Sequence, residues 1–272
     1  MFSNCKSLIS LDLSGFVDGM ITTTVSMFEN CEQLNYLHMK NFIGEEVIDS
    51  SKMFKGCSSL DTLDLDNFKG AMEFVIEMFK DCNNLRELKI SSLNIEHVRS
   101  LSSLFSGCNS LTSLDVSSFD TSVVTDFNNV FLNCRSLKSI NFGEDTQKWD
   151  TSEAIVMGSM FEGCSKLEKL NINRFSTPKA HIMNKMFKDC SGLTELNLDK
   201  FDTLKVVDMD EMFSGVTHLS YLDLSSFDTR NVDPPPVDMW KGITNLRIKI
   251  NEENNEKILK GRPEGVIIVN DA

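Results

Sequence analysis

Eight cysteines and four histidines are the side chains with the widest chemistry in this 272-residue chain. Thiols bridge, hold zinc or attack carbonyls, and each use demands a spacing. Neighbouring cysteines lie at least 25 residues apart, with no C-x-x-C or C-x-x-H, so zinc spacing and the redox motif are both missing. His38, His97, His181 and His218 stand at unrelated positions, none at motif distance from a carboxylate or a cysteine. G-x-S-x-G, H-E-x-x-H, the P-loop and G-x-G-x-x-G do not occur. Acidic residues offer oxygen ligands, but no EF-hand or glycine-aspartate nonapeptide arranges them for calcium. We therefore expect a protein that is not an enzyme, with no cofactor and no metal.

What the cysteines do share is a slot in a repeat. Anchors at Phe2, Phe28, Phe54, Phe79, Phe105, Phe131, Phe161, Phe187, Phe213 and Trp240 recur at intervals of 25 to 27, apart from one of 30. Three residues after each anchor come all eight cysteines in turn, then Val216 and Ile243; six residues after each comes a leucine, Leu8 to Leu246. A second column holds Phe16, Phe42, Phe68, Phe119, Phe175, Phe201 and Phe227, with Leu93 once in its place. Because Val216 and Ile243 occupy the cysteine slot, and stacked side chains point in parallel, the spacing predicts eight free, buried thiols.

Each unit changes period. Val206, Met209, Met212 and Phe213 are spaced by threes and fours, as on one face of a short helix or 3₁₀ turn; Leu11-x-Leu13, Leu63-x-Leu65 and Leu222-x-Leu224 alternate, as in a strand with one buried face. A unit this short cannot bury both faces alone, and stacked neighbours can. The expected fold is an α/β repeat solenoid of about ten coils of roughly 26 residues. A parallel sheet lines one side, short helical segments the other, and two Phe columns fill the inside. Residues 1–250 form the solenoid and 251–272 a C-terminal cap. The 30-residue interval is expected to bulge at 143–155, with Trp149 covering the gap left by the lost second Phe. Asp233-Pro234-Pro235-Pro236 should interrupt the last helical segment. Met1-Phe2 enters directly at an anchor, which reads as a fragment of a longer protein or an edge open to self-association.

Composition narrows the partners. Hydrophobic residues make up 41%, enough for a large core, and no apolar run approaches the roughly 18 residues of a membrane span, so no membrane insertion is expected. A formal charge of −13 argues against nucleic acid, whose binders need a basic stripe. The residues flanking the first buried strand position face solvent together. One column runs through Tyr36 and Tyr221; the other runs through Asp12, His38, Asp64, Lys89, Asp115, Asn141, Asn171, Asn197, Asp223 and Lys249. Tyr36, His38, Asp64, Lys89, Asp115, Asn141, Asn171, Asn197, Tyr221 and Asp223 are the candidate ligand-binding residues, with the tyrosines as amphipathic anchors. Alternatively, the Asp and Asn merely close strands and start turns.

Leu8-x-x-Leu11-x-Leu13-x-x-Phe16 has leucine-rich repeat spacing, with Phe at the usual Asn site. The fuller units MFSGCNSLTSLDVSSFDTSVVTDF and MFKDCSGLTELNLDKFDTLKVVDM resemble the BspA-type leucine-rich repeat surface proteins, from residue 1 to about 250. That resemblance implies a bacterial or protist cell-surface protein that adheres to host matrix proteins or to other cells, and it transfers no catalytic residue. Free thiols and the lack of any N-x-Ser/Thr sequon pull the other way, towards a reducing compartment. The expected function is cell-surface recognition of a protein partner through the strand face; the alternative is an intracellular scaffold or structural spacer.

Overall fold

A computed structural model of the chain describes residues 1–16, 19–143 and 148–269. Its strands are one short segment per coil: β1 (Ser10–Asp12), β2 (Tyr36–His38), β3 (Thr62–Asp64), β4 (Glu87–Lys89), β5 (Ser113–Asp115), β6 (Ser139–Asn141), β7 (Lys169–Leu170), β8 (Glu195–Leu196), β9 (Tyr221–Asp223) and β10 (Leu246–Lys249). Beyond them lie α1 (Glu256–Leu259) and β11 (Val266–Ile268). All pairings are parallel, and from β1 to β10 they are one repeat apart, as in Leu11↔Leu37, Leu63↔Leu88, Leu114↔Ile140 and Leu222↔Ile248. In the three-residue strands β1–β6 and β9 the middle residue points inward and its two neighbours outward, because successive side chains alternate across a strand. The ladder comes in five parts, β1–β2, β3–β4, β5–β6, β7–β8 and β9–β10–β11.

The opposite side differs from the expected helical segments. The Met-Phe stretch is a run of tandem turns around two left-handed residues, such as Ser26 (φ 53°) and Asn30 (φ 58°), or Ser103 (φ 56°) and Gly107 (φ 78°). Its amides alternate. Those of Met27, Glu29 and Cys31 close turns on Thr24, Ser26 and Phe28, while those of Thr24, Ser26, Phe28 and Asn30 donate to Asp49, Ser51, Met53 and Lys55 of the next coil. A helix would satisfy its donors along its own axis; this scheme also satisfies them, and ties coil to coil. Spacing by threes and fours cannot separate the two, since both turn the same side chains inward. Among the described residues the helix is α1 alone. A further parallel ladder joins the turn entries, through Ser100, Asp126, Val156, Ile182 and Asp208.

Inside, the anchors form an unbroken stack of ten rings from Phe2 to Trp240. Successive centroids are 5.4–5.9 Å apart and planes within 16° of parallel. From Phe42 onward the second column is buried as well, Phe16 being half-buried, and the coil expected to lack it has Trp149 there instead. The Trp149 ring lies parallel to Phe175 at 6.2 Å, and its Nε1 donates to the Val116 carbonyl at 2.7 Å. Trp149-Asp150-Thr151 thus resumes the Phe-Asp-Thr pattern. Of the expected 143–155 bulge, residues 144–147 lie outside the described ones.

Phe-Asp-Thr has a job that its recurrence did not disclose. Thr121, Thr151, Thr177, Thr203 and Thr229 are fully buried. The Thr151, Thr177 and Thr203 hydroxyls donate to the Ser176, Asp202 and Asp228 carbonyls at 2.8–2.9 Å, and accept from the same residues' amides at 2.8–2.9 Å. Each hydroxyl stands in for a ladder partner where no strand is present. At the far end, Asn255 Nδ2 donates to Phe227 and Asn251 carbonyls, and Trp240 Nε1 to that of Ile258.

All eight cysteines are free, and seven are buried. Each of those seven thiols donates to the anchor carbonyl of the preceding coil, as Cys57 does to Phe28 and Cys134 to Phe105, both at 3.1 Å. Burial pushes the Cys57 and Cys134 thiols up to about 12 and the other buried ones up too. Cys5 corrects the expectation of eight: it is exposed, because its coil packs against a neighbour on one side only. Since the thiolate is the reactive form, an aromatic disulfide reagent at neutral pH should consume one thiol quickly and the other seven only on unfolding. Several fast-reacting equivalents in native buffer would contradict this packing.

Candidate functional site

The ten candidate residues lie on one exposed face and follow the solenoid rather than converging. Asn171 and Asn197 sit just past β7 and β8 instead of within them. Tyr36 and Tyr221 are the exposed aromatics within the strands, 56% and 45% accessible. The Tyr36 ring lies near parallel to His38 at 6.4 Å. Lys89 reaches Asp64 at 3.5 Å and Glu87 at 3.7 Å; Asn141 Nδ2 donates to Asp115 at 3.0 Å; Asp223 faces Lys249 at 3.8 Å. Asn171, Asn197 and Tyr221 share an open depression of about 650 Å³ spanning β7 to β9.

The Asp and Asn column also works for the backbone. Oδ1 of Asp12, Asp64, Asp115, Asn141, Asn197 and Asp223 each accepts the amide two residues on, at 2.8–3.0 Å, turning the chain as it leaves the strand. Asp12 is held below the ordinary carboxylate value by the amide and hydroxyl of Ser14. Burial raises Asp115 and Asp223, but hydrogen bonds from Ser117 and Asn141, and from Ser225, outweigh it and leave both lowered. Groups depressed on folding stabilise above their unfolded value and lose that as pH falls through the folded value. The melting temperature should therefore hold near neutrality and drop from about pH 4 downward. Asp115→Asn should blunt that drop when melting curves at neutral and acid pH are compared; an unchanged acid slope would refute the assignment.

Charges on the face meet partners of their own. Besides the pairs above, Arg86 reaches Asp61 at 3.0 Å and Lys169 reaches Glu195 at 3.3 Å, residues that did not feature among the candidates. The signal was present, since opposite charges stood one repeat apart in the same position. The face therefore presents hydrogen-bonding groups, partly paired charges and two aromatic rings. Among the described residues no group of three His, Cys, Asp or Glu could hold a metal ion, and no helix is long and apolar enough to cross a membrane.

A family model described as "Mycoplasma protein of unknown function, DUF285" matches residues 1–87, 71–140, 100–196 and 137–256. The chain belongs to the DUF285 family. The four matched windows overlap, as they do when a model several coils long is laid along a continuous array. The last window ends inside α1, so the DUF285 pattern runs through every coil from β1 to β10. No curated protein matches the chain. Among solved structures it is similar to a leucine-rich repeat protein from Bacteroides ovatus, at 18% identity, covering 99% of this chain and 86% of that one, with a TM-score of 0.36.

Proposed function

We propose that this DUF285 chain is a non-enzymatic recognition module that binds a protein partner along the strand face and works at the cell surface. The observation that carries the reading is the face itself. Two exposed columns run the length of the array, each side chain seated beside a buried or half-buried strand leucine or isoleucine, so a broad contact surface is presented without ordering cost. The resemblance of its units to BspA-type surface repeats supports the surface location and an adhesive role. The second reading is an intracellular scaffold, favoured by the unpaired thiols of a chain with eight cysteines.

Tyr36→Ala and Tyr221→Ala are the clean probes, since neither side chain makes a turn-closing bond. Each should leave folding stability within about 0.5 kcal/mol of the parent. Each anchor that touches the partner should weaken binding by about 1 kcal/mol or more. The measurement is titration of a purified partner, first captured on the immobilised chain, with both variants and the parent. Full affinity in the double variant would remove the face as the binding surface. Surface proteolysis of intact cells carrying the tagged protein separates the two locations: cleavage supports the surface, protection the interior.

A further inference from the structure

On the reading of the strand face as a recognition surface, we propose that its β9–β10–β11 end takes an acidic peptide segment of the partner. One Asp or Glu carboxylate of that segment sits on Arg247, and apolar side chains on either side of it cover Tyr221 and Ile267. Among the described residues this is the one stretch of the ladder in which three strands pair without a break. Its register sets Tyr221 against Arg247 and Arg247 against Ile267, so the three make a single row across the sheet, all of them exposed. Neighbouring parallel strands lie about 4.8 Å apart, which puts Arg247 midway between two side chains about 10 Å from one another.

Two features set this row apart. Large apolar side chains are exposed on strands at three described positions, Tyr36, Tyr221 and Ile267, and two of the three are here, 45% and 51% accessible. The outward columns of the face carry four cations. Lys89, Lys169 and Lys249 face the carboxylates of Asp64, Glu195 and Asp223 at 3.5, 3.3 and 3.8 Å, whereas Arg247 makes no ion pair among the described residues.

The combination selects the ligand. One guanidinium is too little for a nucleic-acid backbone, which needs a basic stripe, in a chain whose formal charge is −13. A lone inorganic anion leaves both apolar side chains in water, and a wholly apolar segment covers the guanidinium without giving it a partner. A carboxylate is planar like the guanidinium and accepts two parallel N–H···O bonds from it. Left in water such a pair contributes little, but apolar contacts on both sides exclude water and strengthen it.

The test is selection of a random dodecapeptide library displayed on phage against the immobilised full-length chain, followed by anisotropy titration of the enriched peptides. These should carry an Asp or Glu between large apolar residues. Arg247→Gln should weaken them about tenfold or more, and Ile267→Ser about fivefold. Lys89→Gln, a paired cation in a distant coil, should leave their affinity unchanged, and Arg247→Gln should keep the parent's melting temperature because that side chain has no ion pair to lose. A library without binders overturns the proposal, and so do binders indifferent to Arg247→Gln or to exchange of their own carboxylate for the amide. A dimer in sedimentation that Arg247→Gln dissociates assigns the row to a second copy and overturns it as well. Peptides lost in the Tyr36/Tyr221 double variant yet indifferent to Arg247 would sink this proposal alone. The strand-face reading fails separately, if a purified partner binds that double variant as well as the parent.

Discussion

Replacing Phe105 by Ala should destabilise the chain by about 3–5 kcal/mol in urea denaturation, among the largest losses for one side chain. The ring is fully buried in the anchor stack, 5.6 Å from Phe79 and 5.7 Å from Phe131, with planes within 7° of each. A truncated site lowers its cost by collapsing, and this one cannot. The coils on either side are held at fixed separation by main-chain bonds, Phe79 N to Leu104 O at 3.0 Å and Phe105 N to Val130 O at 2.9 Å. The cavity stays open between two flat rings, and two coil interfaces weaken together. Because such an array is stabilised by nearest-neighbour contacts, amide exchange should accelerate in the coils of Phe79 and Phe131 before it does at the ends. Phe16→Ala, in the half-buried first coil, should cost visibly less. A loss under about 1 kcal/mol at Phe105 would mean that the stack does not bear the stability assigned to it.

Thr177→Val should cost about 2–3 kcal/mol although it changes the shape of a buried side chain very little. Valine keeps the volume and removes a hydroxyl that donates to the Asp202 carbonyl and accepts from its amide, both at 2.9 Å. Two main-chain groups then lose their partner, and an unsatisfied buried group costs about 1–3 kcal/mol. Thr177→Ser keeps both bonds and gives up one methyl, so about 1 kcal/mol is expected there. Paired thermal and urea melts of the two variants decide the matter. Equal losses would show that packing, not hydrogen bonding, holds this column.

Much of the fold was legible because a repeat multiplies each signal. The strand leucines, the anchors and the shared cysteine slot stand in register along the chain, and Trp149 was already marked as the filler of its gap. The turn side was misread for a physical reason. Its first left-handed position is taken by Ser26, Lys52, Glu77 and Lys185, residues with no preference for positive φ, so composition hides it. The second position was readable: Asn30, Gly56, Asp81, Gly107, Asn133 and Gly163 are the residue types that tolerate left-handed backbone. Cys5 departed from its column because burial in a stack depends on having two neighbours. At the site, alternation placed the ten candidates on one face. That their carboxylates also close turns follows from Ser, Gly or Asp two residues on. The depression depends on how far β7 and β8 extend, which pattern alone does not set.

The alternating amides of the turn side have a mechanical consequence. Their bonds between coils run along the long axis, so a pull on the two ends of the array draws each rung open rather than shearing it sideways. Coils would then peel from an end one after another, each at modest force. Every coil released frees about 26 residues, on the order of 90 Å of extended chain, from a slice about 4.8 Å thick. Anchored at one end and loaded at the other, such an array behaves as a stepwise extensible tether, lengthening many-fold while the coils still stacked keep their face intact.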